Sequence, residues 1–327
     1  MALQLFRLIE GWRISNTLQK LKKRKDKFVI ALQENMFERL RAGWRLAKEV
    51  RQSVSKDKSM YIFPIASGLL GVFIFLFTMF MVFFGFSTTV SNSIDITFIL
   101  AFFIASIVVM FTTTYFLLAM LIAYRSFNSG SPISFRTALS KTWEYKKYAL
   151  EWAIFYTIIV TIIRAIESRI RGIAGMLIGV IGALTITIAT FFAVPAILEE
   201  KVGPIKAIES SIHTIRRNFG MTFGGVAYVD LYTLIFILLG FFLIIGSIFI
   251  MGSLALPLVF ILLILAVGII LIVFGLILKF TYMNVLKFIL YDYFNGKGLP
   301  QGFDETTINT AMKRKRGNRG MDLGDLN

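Results

Sequence analysis

Cysteine is absent from the 327 residues, which excludes a disulfide framework, a thiolate nucleophile and any Cys-based metal site. His213 is the single histidine, so a His-rich metal centre is excluded as well. Ser210 and Ser211 precede it closely, but residues two or three apart on a helix do not by themselves make a nucleophile–base pair. Neither G-x-x-x-x-G-K-[ST] nor G-x-G-x-x-G occurs, so both glycine-rich phosphate cradles are missing. The residues point to no enzyme and to no cofactor. Carboxylates are scarce too: 19 Asp and Glu face 35 Lys and Arg, a net charge of +16. The first 30 residues carry basic charge but no continuous apolar core, which argues against a cleavable signal peptide.

What is abundant is apolar. Hydrophobic residues make up 57% of the chain and mean hydropathy is +0.74, above the usual share in soluble domains. Several runs exceed the ~18 residues that distinguish a membrane-crossing helix from a core helix. The fold class expected is all-α, a polytopic membrane bundle. Its spans lie at about 62–86, 97–123, 149–169, 173–198, 227–250 and 254–278. The last helix has the pattern to continue through Tyr282 to Phe294, with Gly296 as terminator. A basic amphipathic region, 1–59, precedes the 60–294 membrane domain, and a basic tail, 295–327, follows it.

The excess positive charge sits at the ends: 15 of the 35 basic residues lie before residue 60 and 8 from Lys279 onward. That distribution records orientation rather than nucleic-acid binding, because cytoplasmic loops retain Lys and Arg. Arg125, Arg136, Lys141, Lys146 and Lys147 follow the second span. Lys201, Lys206, Arg216 and Arg217 follow the fourth, while the first and fifth loops carry none. Both termini are therefore expected in the cytoplasm of a multi-pass cell-membrane protein. Arg169 and Arg171 fall on the other side. Either Glu167 and lipid phosphate compensate them or spans three and four form a re-entrant hairpin; the first fits the remaining loops better.

Five motifs stand out. Lys22, Lys23, Arg24, Lys25 and Lys27 form a dense basic patch, suited to positive-inside anchoring and to anionic lipid headgroups at about 1 kcal/mol per charge. Ser131-Pro132 reads as the start of a surface helix over 132–147. A second surface helix over 204–219 opens at Pro204 and carries an apolar stripe of Ile205, Ile208, Ile212, Ile215 and Phe219. Gly172, Gly175, Gly179 and Gly182 make a small-residue stripe, read first as helix packing and otherwise as a pore lining. Arg164, Glu167 and Arg171 share a helix face and, with Asp230, form the candidate intramembrane polar site.

Several of these residues carry a resemblance. Phe37…Gly43-Trp44, Phe63-Pro64…Ser67-Gly68, Arg164…Glu167, Thr190-Phe191-Phe192…Val194-Pro195, Gly203-Pro204…Ala207…Ser210 and Pro300…Gly302-Phe303-Asp304 resemble an uncharacterised family of prokaryotic multi-pass membrane proteins, defined only as a domain of unknown function. The likeness covers about residues 36–327, and the first 35 look like an addition. It implies a shared helical membrane fold and brings no activity with it.

The function expected is non-enzymatic handling or transport of a lipid or small solute. The alternative is a membrane scaffold that recruits partners through its basic cytoplasmic ends. Membrane lipids are the expected partners, and nucleic acid is not; the residues leave a protein partner or a second copy open. A polar cavity reaching Arg164 and Glu167 favours the first reading, and a bundle packed solid by apolar side chains favours the second.

Overall fold

The computed structural model describes residues 36–86, 96–170, 172–253 and 257–303. The basic patch Lys22–Lys27, Arg171 and the tail from Asp304 lie outside them. Within the described residues the chain is helical without strands: α1 over 36–56, α2 Ile62–Phe86, α3 Ile96–Asn128, α4 Phe135–Thr142, α5 Lys146–Arg169, α6 Ile173–Ala189, α7 Ala193–Glu200, α8 Pro204–Ser253 and α9 Leu258–Phe294. Six helical segments have the length and apolar composition to cross a membrane. The protein is a multi-pass membrane protein of the all-α class.

The helices are longer than a bilayer requires. Crossing ~30 Å of hydrocarbon takes about 20 residues, whereas α3 has 33, α9 has 37 and α8, two helices meeting at a kink, has 50. The surplus gathers at the basic end and forms a packed cap. Leu118 to Leu121, Tyr124, Ala149, Trp152, Phe192, Ile197 and the α9 face from Tyr282 to Tyr291 are buried there together with Leu46, Val50 and Val54 of α1. In the membrane half the side chains point outward: Phe73 and Phe83 of α2, Ile173 and Met176 of α6, and Phe242 and Phe249 of α8 are exposed. The contrast follows from the solvent. Burying a large apolar side chain away from water contributes about 1.5–3 kcal/mol, but between helices in lipid that driving force vanishes. The core therefore forms where the alternative is water.

Glycine sets the close approaches. A Cβ at Gly43 of α1 would collide with the Met221 carbonyl of α8, and one at Gly224 would collide with the Leu40 carbonyl of α1. Along the α8–α9 hairpin, a Cβ at Gly240 would stand 2.5 Å from the Gly268 carbonyl oxygen, and one at Gly275 2.8 Å from Ile237 Cγ1.

Three local expectations change. The second surface helix keeps its own identity, because α8 is two helices that meet at a kink where Asn218 leaves helical backbone (φ −132°, ψ 24°), next to the expected end at 219. Residues 220–226, read as a connection, stay helical because Gly224 and Gly225 admit α1. The kink's loosened carbonyls are served by side chains: Asn218 Nδ2 donates to the Thr214 carbonyl at 3.2 Å and Thr222 Oγ1 to that of Asn218 at 3.1 Å. Its buried face is Ala207, Ser211, Thr214 and Ile215, while Ile205 (73% exposed) and Phe219 of the expected stripe face outward, with Ile208 and Ile212 half-buried.

The first surface helix starts at Phe135 rather than Pro132. Ser134, in extended backbone, caps it by accepting from the Thr137 N–H at 3.2 Å. The fourth span breaks at Thr190–Phe192 into α6 and α7. Pro195 lacks the N–H that would bond the Phe191 carbonyl, and the Phe192 N–H is taken by Ser211 Oγ of α8 at 2.9 Å. α9 ends at Phe294, where Gly296 supplies the positive φ (+84°) of the terminating turn.

Candidate functional site

The four residues of the candidate polar site are divided. Arg164 Nη1 donates to Glu167 Oε2 at 3.1 Å on α5. Asp230 lies on α8 and pairs with Lys279 of α9 at 2.9 Å, and Arg171 is outside the described residues. The first pair lines a cavity of about 380 Å³ between α5 and α6, with Tyr156, Val160, Gly179 and Thr187. The glycine stripe has three roles here. Gly172 turns the α5–α6 hairpin (φ +76°), and Gly182 receives Ile163. Gly175 packs against the Ile170 carbonyl in the same turn, while a Cβ at Gly179 would fall 2.6 Å from Glu167 Oε1. The missing side chain at Gly179 is what lets the Glu167 carboxylate turn into the seam.

A second cavity, of about 390 Å³, adjoins across Tyr156 and Val160 and is bounded by α2, α3 and α5. No charged side chain lines it. Four of its hydroxyls return their protons to their own helices: Thr78 to the Ile74 carbonyl at 2.8 Å, Ser106 to Phe102 at 2.7 Å, Thr113 to Val109 at 2.9 Å and Thr161 to Thr157 at 2.7 Å. Such a wall is apolar with a scatter of oxygen lone pairs. A third cavity, about 490 Å³, lies between α2, α3 and α9 and shares Gly71, Phe75, Val109 and Thr113 with the second. Gly71 borders both, and a Cβ there would meet only Val109 Cγ1 at 3.8 Å.

At the basic end, three consecutive residues after Leu198 reach three different places. Glu199, 6% exposed, is paired with Arg125 of α3 and with Lys297 beyond α9. Glu200 accepts from Tyr291 of α9 and from Ser210 of α8, the latter at 2.8 Å. Lys201, in left-handed backbone (φ 51°), lies 3.5 Å from Glu144 and 5.2 Å from the centre of the Tyr145 ring. Asp292 Oδ1 stands 3.5 Å from Lys297 Nζ. Burial pushes the Asp292 carboxyl up to about 6, against the pull of the Arg125 guanidinium. Ser210 and Ser211 are thus committed to Glu200 and to the Phe192 N–H, and His213 stays exposed.

Sequence reasoning missed the Glu199–Arg125–Lys297 cluster. Arg125 and Lys297 were counted as orientation charges, and nothing in their spacing announces a carboxylate 74 or 98 residues away. It also missed Arg51, whose guanidinium carbon sits 4.6 Å from the centre of the Tyr232 ring. Beside it the Tyr61 and Tyr282 hydroxyls meet at 2.9 Å.

A family model described as a family of unknown function, DUF6159, matches residues 93–298. The match is narrower than the expected 36–327: α1, α2 and the Pro300–Asp304 stretch lie outside it. Searches of curated proteins and of solved structures returned no match. With well over half of its length inside the matched region, the chain belongs to the DUF6159 family of unknown function.

Proposed function

We propose that the protein binds a lipid inside the membrane half of its bundle, without chemical conversion, as a carrier or holder of that lipid. The observation that carries this reading is the adjacent pair of cavities around α5, one uncharged and one lined by Arg164 and Glu167, with Tyr156 and Val160 common to both walls. A charged end beside an apolar middle has the polarity profile of a lipid. A small ion would lack neutralising partners in the middle compartment. The basic end faces the cytoplasm in this reading, following the retention of Lys and Arg on that side. There the Lys22–Lys27 patch adds attraction to anionic headgroups.

The test is the lipid that travels with the purified protein. Gly71→Phe places a ring between the second and third cavities, and lipid retained per protein, counted by mass spectrometry, should fall. Lipid retention equal to that of the unaltered chain would reject the reading. The solidly packed cap supports a second reading, a scaffold whose basic end recruits partners. In that case Gly71→Phe leaves lipid retention unchanged, and charge reversal at exposed cap residues such as Arg216 and Arg217 abolishes recruitment.

A further inference from the structure

We infer that the α5–α6 seam selects a phosphoethanolamine headgroup, with its phosphate on Arg164 and its ammonium on Glu167; this rests on the lipid reading above. Order along α5 is the first argument. Tyr156 and Val160 border the uncharged compartment, Arg164 comes one turn later, and Glu167 follows at the far end. An acyl chain lodged at Tyr156 therefore brings the phosphate to Arg164 first and the group beyond it to Glu167. Three residues of helix rise about 4.5 Å, a step comparable with the two-carbon link between phosphate and ammonium.

Burial is the second argument. The Arg164 side chain is 75% exposed and stands at the rim, whereas that of Glu167 is 31% exposed and turned into the space left by Gly179. Arginine reads the phosphate of any phospholipid through charge-assisted hydrogen bonds, so discrimination falls to the carboxylate. Glu167 accepts hydrogen bonds from a primary ammonium. A trimethylated ammonium has no N–H to offer it, and a glycerol headgroup leaves the anionic phosphate beside an uncompensated carboxylate. Arg169 is exposed at the helix end and does not line the cavity.

The experiment is native mass spectrometry of the full chain from bilayers holding equal amounts of phosphatidylethanolamine, phosphatidylglycerol and phosphatidylcholine. Phosphatidylethanolamine should be retained over each of the others by roughly tenfold, the equivalent of one charge-assisted hydrogen bond. Glu167→Gln should bring the ratios close to one with total bound lipid kept, and Glu167→Asp should preserve the preference. Gly179→Leu, which evicts the carboxylate without removing it, should act like Glu167→Gln. Equal retention of the three lipids, or a preference that survives Glu167→Gln, overturns the headgroup assignment alone. Absence of any bound lipid overturns the wider reading and this one with it.

Discussion

Ser211 Oγ accepts the backbone N–H of Phe192 at 2.9 Å, bridging 19 residues between α8 and the break that separates α6 from α7. Both groups are buried, so no water replaces the acceptor if it is lost. Ser211→Ala should therefore cost about 1–3 kcal/mol, the range for a stranded buried donor, and lower the melting temperature in detergent. A melting temperature equal to that of the unaltered chain would mean the break is held by Pro195 and packing alone.

Gly43 and Gly246 make a matched pair for testing how α1 is attached. A methyl at Gly43 meets the Met221 carbonyl, while at Gly246 it meets nothing within 4 Å. Gly43→Ala should destabilise by about 1–3 kcal/mol, as overpacking does. Gly246→Ala should be neutral or gain up to ~1 kcal/mol from helix propensity. Limited proteolysis reads the difference, with cleavage within 36–56 expected to accelerate only in the first variant.

Asp292 should make the cap sensitive to acid in the unusual direction. Burial pushes its folded carboxyl up to about 6, above the 3.8 of an aspartate in the unfolded chain, so the folded state holds the proton more tightly. The resulting stabilisation is full below about pH 4 and disappears as pH rises through 6. The two-unit gap sets an upper bound of about 3 kcal/mol. Asp292→Asn should remove this component, so that unfolding measured from pH 4 to 7.5 shows a shallower decline than the unaltered chain. Identical pH profiles for the two proteins would refute it.

The absence of cysteine permits a clean test of orientation. Ser140, in α4, and Ser168, at the end of α5, are both exposed and belong to opposite ends of the molecule. Ser168→Cys should react with an impermeant maleimide in intact cells, and Ser140→Cys only after permeabilisation. The reverse pattern would turn the protein over.

The helical bundle and its six crossing segments were legible because hydrocarbon length and apolar composition are properties of contiguous sequence. The Arg164–Glu167 contact was legible for the same reason, since three residues on a helix are neighbours by construction. What stayed hidden depends on distant partners. Gly220, Gly224 and Gly225 read as a connection in isolation, and only α1 lying against Gly224 and Gly225 explains why a helix continues through them. The basic residues Arg125 and Lys297 obey the same rule as every loop cation until Glu199 is brought between them by the fold. Asp230 was grouped with Arg164 by its acidity and its nearness to an apolar run, whereas its neighbour in space is Lys279.

Because the cap draws its centre from Tyr282 to Tyr291, it is completed only when α9, the last of the described helices, is made. Until that helix emerges, the buried faces of α1, α3 and α7 have been synthesised and face the aqueous side without their common partner. Maturation of the water-facing half accordingly waits for α9. A nascent chain stopped before residue 282 would hold inserted helices but an unclosed, adhesive end, and would depend on chaperones or quality control rather than on its own packing.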